Sequence, residues 1–427
     1  MSAYSKDISF EPGVLRVSYN KERTRRLLAF FSFILLAVGH VPLIYFGDDK
    51  ATADAIGLFD LYVVVLFAAI LYKNTKFYVT ESTRSLLRLY SVYLFYISVS
   101  LFLYLPSFEN LPFSAALWLK QFQYLVVGII SFYYIKRLRR EDILHALYLS
   151  ILFLSIYGFY RFFFGNWYRL GIPFTQKGSP NPAGFMLGIQ LLMMLYFITD
   201  KSMLKSIRKL VFWVIFLVGY TALLLTVSRT NNLAFFIVLL FFMFARFRNK
   251  IFLILFIISF LVLAVYIGST FIFEDTAFGG EKGNFFTYII NPQSVLEDTA
   301  FTARYSDLWV RPYQMWDQNL FTNLFGIGIG RASTVDNLFL AVLYNFGIVG
   351  FFIYFSLYLY LFFIGDYRLK IMLVFILING IAAETALNSF RSMQVVIFYL
   401  IYGFIYFKRN NLEFFIKRRE RWTAIKK

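Results

Sequence analysis

The chain has no cysteine and only two histidines in 427 residues. The first absence excludes disulfides, thiolate metal sites and cysteine nucleophiles, and the second leaves almost nothing for an imidazole metal cage. Charge is also scarce. Charged residues make up 15% of the chain against 59% hydrophobic ones, with a mean hydropathy of +0.65, a balance that excludes a soluble enzyme. Any chemistry must therefore run on carboxylates, arginines, hydroxyls or amides. What the chain has in quantity is aromatic area. Its 55 Phe and 31 Tyr exceed what a single soluble core could hide and supply the rings that settle at bilayer interfaces. The expected architecture is an all-α polytopic membrane protein, with residues 1–427 forming one transmembrane domain.

A bilayer core takes about 20 apolar residues per helix, and runs of that kind number about a dozen here. They lie near 27–46, 56–72, 86–106, 114–135, 143–164, 182–199, 210–227, 231–245, 251–273, 338–363, 371–387 and 393–407. No small-residue cleavage pattern follows the first run, so it reads as a retained span. Basic clusters fall in every alternate loop: Lys21 to Arg26, Lys73/Lys76/Arg84, Lys136/Arg137/Arg139/Arg140, Lys201/Lys205/Arg208/Lys209, Arg246/Arg248/Lys250, Arg368/Lys370 and Lys408 to Lys427. By the positive-inside rule both termini of the multi-pass chain are expected in the cytoplasm. The net charge of +18 is then mainly a topology signal, and nucleic acid is not implied. In the basic cytoplasmic tail, 408–427, Phe414, Phe415 and Trp422 also suit an interfacial helix on anionic lipid.

Two outward loops are long. Residues 165–181 (GNWYRLGIPFTQKGSPN) are rich in Gly and Pro and read as an ordered turn. Residues 274–337 form the longest polar stretch, expected between the ninth and tenth spans, and Tyr305, Trp309, Tyr313 and Trp316 argue against its being disordered.

Arginines on the outward side oppose the charge rule and need a reason. Arg229 sits in LLLTVSRTNNLAFF, in a turn tight enough to make an outward hairpin. It either snorkels to phosphate headgroups or offers its planar fork to a bound anion. Arg169, in YRLGIP, lies among residues that set backbone shape and is read as a site residue, whereas Arg161 anchors a helix end. Arg304, in ARYSDLW, and Arg391, in NSFRS, are anion-ligand candidates against the alternative of ordinary surface salt bridges. Asp336 precedes a long apolar span with Asn337 beside it, and both a helix cap and a catalytic base fit that position. Glu384 is a buried acid, Asp60 and Lys120 could pair or line a cavity, and His40 reads as structural.

In this order the features resemble the O-antigen polymerase and O-antigen ligase family of bacterial envelope glycosyltransferases. The residues that carry the resemblance run from about 165 to 350. They are Arg169 and Gly171 closing on SPNPAGFMLG with Asn181, then Thr226-x-Ser228-Arg229, then Arg304 to Trp309 leading to GIGIGR at 326–331, and finally DNLFLAVLYNFGIVG at 336–350. The resemblance implies a GT-C-like helical bundle in which the long loop caps an outward cavity. It implies an undecaprenyl-diphosphate-linked oligosaccharide as donor and another as acceptor, with membrane lipids and a chain-length regulator as further partners. Arg169 and Arg229 stand where the family keeps phosphate-binding arginines, and Arg304, Arg391, Asn181 and Asn337 complete the expected substrate contacts. No cofactor and no metal are expected, since arginines can stabilise a diphosphate leaving group. Related ligases carry a His where this chain has Asp336, a departure that favours the polymerase branch. The alternatives are a ligase acting on another acceptor and a flippase for the same lipid. A flippase would not need the loop at 274–337, and the two halves of the chain show no repeat.

Overall fold

A computed structural model describes residues 42–45, 55–72, 81–104, 111–135, 138–165, 170, 180–199, 209–226, 228–246, 309–331, 335, 337–382 and 390–406. Apart from one two-stranded antiparallel ribbon, β1 (Pro42–Tyr45) with β2 (Ala55–Gly57), the described chain is helical. The ribbon corrects the first expected span, because Pro42–Tyr45 is extended where a helix to residue 46 was expected. Proline in its first position and paired backbone on the facing strand explain the difference. The rest of that run, and the run at 251–273, lie outside the described residues.

The long helices are α1 (Leu58–Tyr72), α2 (Glu81–Tyr104), α3 (Leu111–Ile135), α4 (Arg140–Phe164), α5 (Pro180–Thr199), α6 (Lys209–Leu225) and α7 (Arg229–Arg246). After two short helices, α8 (Arg311–Trp316) and α9 (Leu320–Phe325), come α10 (Leu338–Ile364), α11 (Tyr367–Ala382) and α12 (Phe390–Tyr406). Ten expected spans thus correspond to helices, with ends displaced by a few residues. Among the described residues, five segments are long and apolar enough to cross a membrane: Glu81–Phe102, Ser114–Tyr133, Arg140–Phe164, Asn181–Ile198 and Leu338–Ile364. The protein is a helical membrane protein.

Burial ranks these helices. In α5, 83% of the apolar stretch is buried, against 28% in α2, so α5 is enclosed by its neighbours while α2 shows most of its surface to the surroundings. A helix apolar all round is what an enclosed position requires. Packing pairs α5 with α4, α6, α7, α11 and α12, and a second group joins α2 and α3 to α10 and α12.

Contacts near the helix ends show which ends lie together. Tyr360 late in α10 donates to the Ser82 carbonyl early in α2 (2.9 Å), and Tyr196 late in α5 meets Phe242 late in α7 (6.3 Å). Tyr148 and Phe212 pair the starts of α4 and α6, and Phe404 pairs the ends of α12 and α3 through Phe132. Basic residues at those ends include Arg84, Arg140, Lys209, Arg246 and Arg368. This basic end, opposite the turn between α6 and α7, matches the alternation read from the loops.

Local chemistry fixes several of the termini. Asp142 accepts from the Arg139 N–H (3.0 Å) at the start of α4, where an acid complements the helix dipole. Asp366 accepts from the Arg368 and Leu369 N–H groups (3.0 and 3.2 Å) and so starts α11. Asp60 and Lys120 do pair, at 2.8 Å, and Gln123 adds a 2.6 Å hydrogen bond to the same carboxylate oxygen.

Within the long loop, residues 309–331 are folded, in line with the aromatics they carry. Tyr313 and Trp316 of α8 pack on Tyr344 of α10 with ring centroids 6.3 and 5.9 Å away. Behind them the glycine run 326–330 wedges against a break in α10 at Gly347, whose φ of +67° and ψ of −174° suit glycine alone. The break frees carbonyls, and each has a new donor. Ile327 N–H reaches Tyr344 O (2.8 Å), Gly328 N–H reaches Asn345 O (3.1 Å), and the Tyr96 hydroxyl reaches Phe346 O (2.7 Å). Asn345 also accepts from the Gly330 N–H (3.1 Å) and donates to Ala341 O (2.8 Å). Any Cβ on Gly347 would strike the Leu324 carbonyl and the Gly326 nitrogen. Irregular backbone of this kind survives within a membrane bundle only where protein satisfies it.

Candidate functional site

Three of the segments singled out in the sequence meet at the end of the bundle opposite the basic clusters. Helix α6 ends at Leu225 and α7 begins at Arg229, so the hairpin turn is only three residues long. Thr226 turns its hydroxyl back onto Leu223 O (2.7 Å) and accepts from the Ser228 N–H (3.3 Å). Ser228 stands at the N-cap of α7, its carbonyl accepting from Asn232 N–H (3.0 Å). Leu170, which follows Arg169 in the chain, donates its N–H to Leu225 O (2.9 Å) and is 1% exposed. The loop after α4 is thereby tied to the hairpin that carries Arg229.

The start of α5 joins the same corner through amides. Ser228 Oγ donates to Asn181 Oδ1 (2.9 Å), while Asn231 Nδ2 donates to both Asn181 O (2.8 Å) and Ser228 Oγ (2.7 Å). Gly184, three residues after Asn181, leaves the room this requires, since a Cβ there would lie 2.8 Å from Asn231 Nδ2. Asn181 is exposed at the rim and Asn231 is buried.

This network leaves acceptors over. Asn231 Oδ1 and Asn232 Oδ1 have no hydrogen-bond partner, and neither has Asn379 Oδ1 in the last turns of α11, although Asn379 Nδ2 is held by Phe375 O (2.9 Å). Deeper in α5, both polar atoms of the buried Gln190 lack partners. Each such group costs roughly 1–3 kcal/mol unless something pairs with it.

A second part of the expected site lies where α10 begins. Asn337 is the N-cap: its Oδ1 accepts from Leu340 N–H (3.0 Å) and its Nδ2 donates to Ile381 O at the end of α11 (2.6 Å). The cap considered for Asp336 is therefore made by its neighbour. Asn337 is committed on both sides, which leaves one lone pair and one N–H for any ligand. Arg229 and Arg391 fall in the first turns of α7 and α12. Arg161 lies in the last turn of α4, where a cation favours the helix dipole. Arg169, Arg304, Asp336, Glu384 and His40 lie outside the described residues.

The glycine run does not form a phosphate cradle. Its N–H groups at 327, 328 and 330 are all spent on α10. Sequence reading missed Asn231, Asn379 and Gln190. The signal was present in each case, as an amide inside an apolar run (RTNNLAFF, LINGIAA, GIQLLMM), where polar groups are costly enough to ask for a purpose.

No known family and no curated protein matches this chain.

Proposed function

We propose that the protein is a glycosyltransferase of the bacterial inner membrane. In this reading it is a polysaccharide polymerase that joins undecaprenyl-diphosphate-linked oligosaccharides on the outer face of that inner membrane, with both chain termini cytoplasmic. One observation carries the reading: the Leu170–Leu225 and Asn181–Ser228–Asn231 links draw the segments of Arg169, Asn181 and Arg229 to one corner. Guanidinium forks suit a diphosphate, and neutral amides suit sugar hydroxyls.

The reaction is a displacement. A hydroxyl at the nonreducing end of one lipid-linked glycan attacks the anomeric carbon of the other. The bond from that carbon to the diphosphate oxygen breaks, and undecaprenyl diphosphate leaves with the electron pair. Arg169, Arg229 and Arg304 stabilise that charge, with Arg391 at the edge. Asp336 takes the acceptor proton, a role supported by Asn337 holding the cap position of α10. The loop at 274–337 caps the cavity, and its folded end from Arg311 to Phe325 packs on α10. Cofactors have no part in this scheme, and a chain-length regulator is a further partner of the protein.

The test is polymerisation of purified lipid-linked repeat units by the protein in nanodiscs. Arg229→Ala and Arg229→Lys should each lower the rate about a hundredfold, roughly 3 kcal/mol, with normal membrane abundance. An active alanine variant returns Arg229 to the headgroup-binding reading. Failure of the parental protein to make polymer overturns the proposal, whereas transfer to an unrelated acceptor or movement of the lipid across the bilayer identifies a ligase or a flippase.

A further inference from the structure

The rings of Phe185 in α5, Phe235 in α7 and Phe375 in α11 form one layer, with Phe185 stacked on Phe375 at 5.8 Å and Phe235 edge-on to it at 6.5 Å. Helices α5 and α7 start at the hairpin end and α11 finishes there, next to Asn337. One helical turn toward that end is therefore four residues back on α5 and α7 and four residues forward on α11. Those steps arrive at Asn181, Asn231 and Asn379. By helix register the three asparagines thus stand one turn above the ring layer; Asn181 and Asn231 are joined by a hydrogen bond, while the Asn379 amide turns back onto Phe375 O.

The hydrogen bonds of this layer are unbalanced. The donors Asn231 Nδ2, Ser228 Oγ and Asn379 Nδ2 are all engaged, while Asn231 Oδ1 and Asn379 Oδ1 are left without partners. Asn231 is 2% exposed and Asn379 0%, so solvent does not serve them in this state. Asn181 at the rim is exposed. A layer with surplus acceptors complements a ligand with several donors.

We infer that Asn181, Asn231 and Asn379 form a saccharide subsite, which takes hydroxyl or amide N–H donors of a glycan entering from the Asn181 rim and parting the two inner amides. This rests on the glycosyl-transfer reading and deepens it, because it separates recognition of the sugar from recognition of the diphosphate. A pyranose face resting on aromatic rings while its hydroxyls meet amides is the arrangement that sugar chemistry favours.

The experiment compares two probes on the protein in nanodiscs: undecaprenyl-diphosphate-linked oligosaccharide extracted from the producing cells, and undecaprenyl diphosphate without sugar. Asn379→Leu keeps the heavy-atom count and branching and removes the unpaired oxygen. It should weaken the glycan-bearing lipid about tenfold, or about 1.4 kcal/mol, and leave the bare lipid unchanged. Its ligand-free melting temperature should not fall, since a buried unpaired carbonyl is lost. If the leucine variant does not fold, Asn379→Ser carries the same comparison. Equal loss for both probes, or no loss for either, overturns the subsite and assigns the layer to packing. Parental protein that binds neither probe overturns the glycosyl-transfer reading itself, a result distinct from failure of the subsite alone.

Discussion

Two regions of this bundle interrupt apolar helices with polar groups, and they treat those groups in opposite ways. At the break in α10, every carbonyl freed by Gly347 has a donor from the glycine run or from Tyr96. In the asparagine corner, Asn231, Asn232 and Asn379 keep oxygens that nothing pairs. The first is a closed joint. A polar network with all its capacity spent gives rigidity and has nothing left for a ligand, whereas one with capacity in reserve bears a cost that a ligand can relieve. The comparison also reverses an intuition about sequence. The glycine-rich GIGIG run looks more like a binding loop than the scattered asparagines do, yet its N–H groups are already used.

The comparison breaks most visibly at the joint. Gly347→Ala places a side chain in a glycine-only conformation, costing roughly 1–3 kcal/mol before the collision with the Leu324 carbonyl is counted. The protein recovered as a monodisperse peak after detergent extraction should fall sharply. Recovery at the parental level would show that the wedge tolerates slack and is not a closed joint.

Asn337 offers a smaller and more graded test, because it belongs to the fold and to the expected site at once. Asn337→Asp keeps the cap but loses the donor to Ile381 O, while Asn337→Ala loses both and should cost about 1 kcal/mol through the cap alone. Melting temperatures in detergent should fall in the order parent, Asp, Ala. Equal melting of all three would detach Asn337 from the α10–α11 contact.

The smallest effect concerns the basic end. Burial pushes the Asp366 carboxyl above its ordinary range, opposed by N–H bonds from Leu369 and Arg368 and by the charges of Arg368 and Lys370. A raised acid means that the folded state holds the proton more tightly than the unfolded one. Stability from this group is then greatest in acid and declines as pH rises through the raised value. Asn caps about as well as Asp, so Asp366→Asn should melt no lower than the parent at pH 7 and lose any advantage in acid. A variant markedly less stable at pH 7 would show that the Arg368 pair outweighs desolvation.

Much of the fold was legible because its causes are local. Apolar runs show α2 to α5 and α10 to within a few residues, and basic loops show which helix ends share a side. The site was legible only in outline. YRLG, SPNPAG and TVSRTNN stood out through their turn chemistry and their arginines, while Asn379 was lost in an apolar helix far along the chain.

By itself, then, the sequence determined a membrane protein with many helices, alternating basic ends and no thiolate chemistry, since hydropathy and residue type act over one span at a time. Only the tertiary structure decided that Asn337 caps α10, that Asp60 takes Lys120, that the glycines of 326–330 close a broken helix, and that Asn181 and Asn231 are joined across α5 and α7. Each of these depends on which helix faces which across tens or hundreds of residues. A hydrogen bond left unmade can be recognised only once all of a group's neighbours are in place.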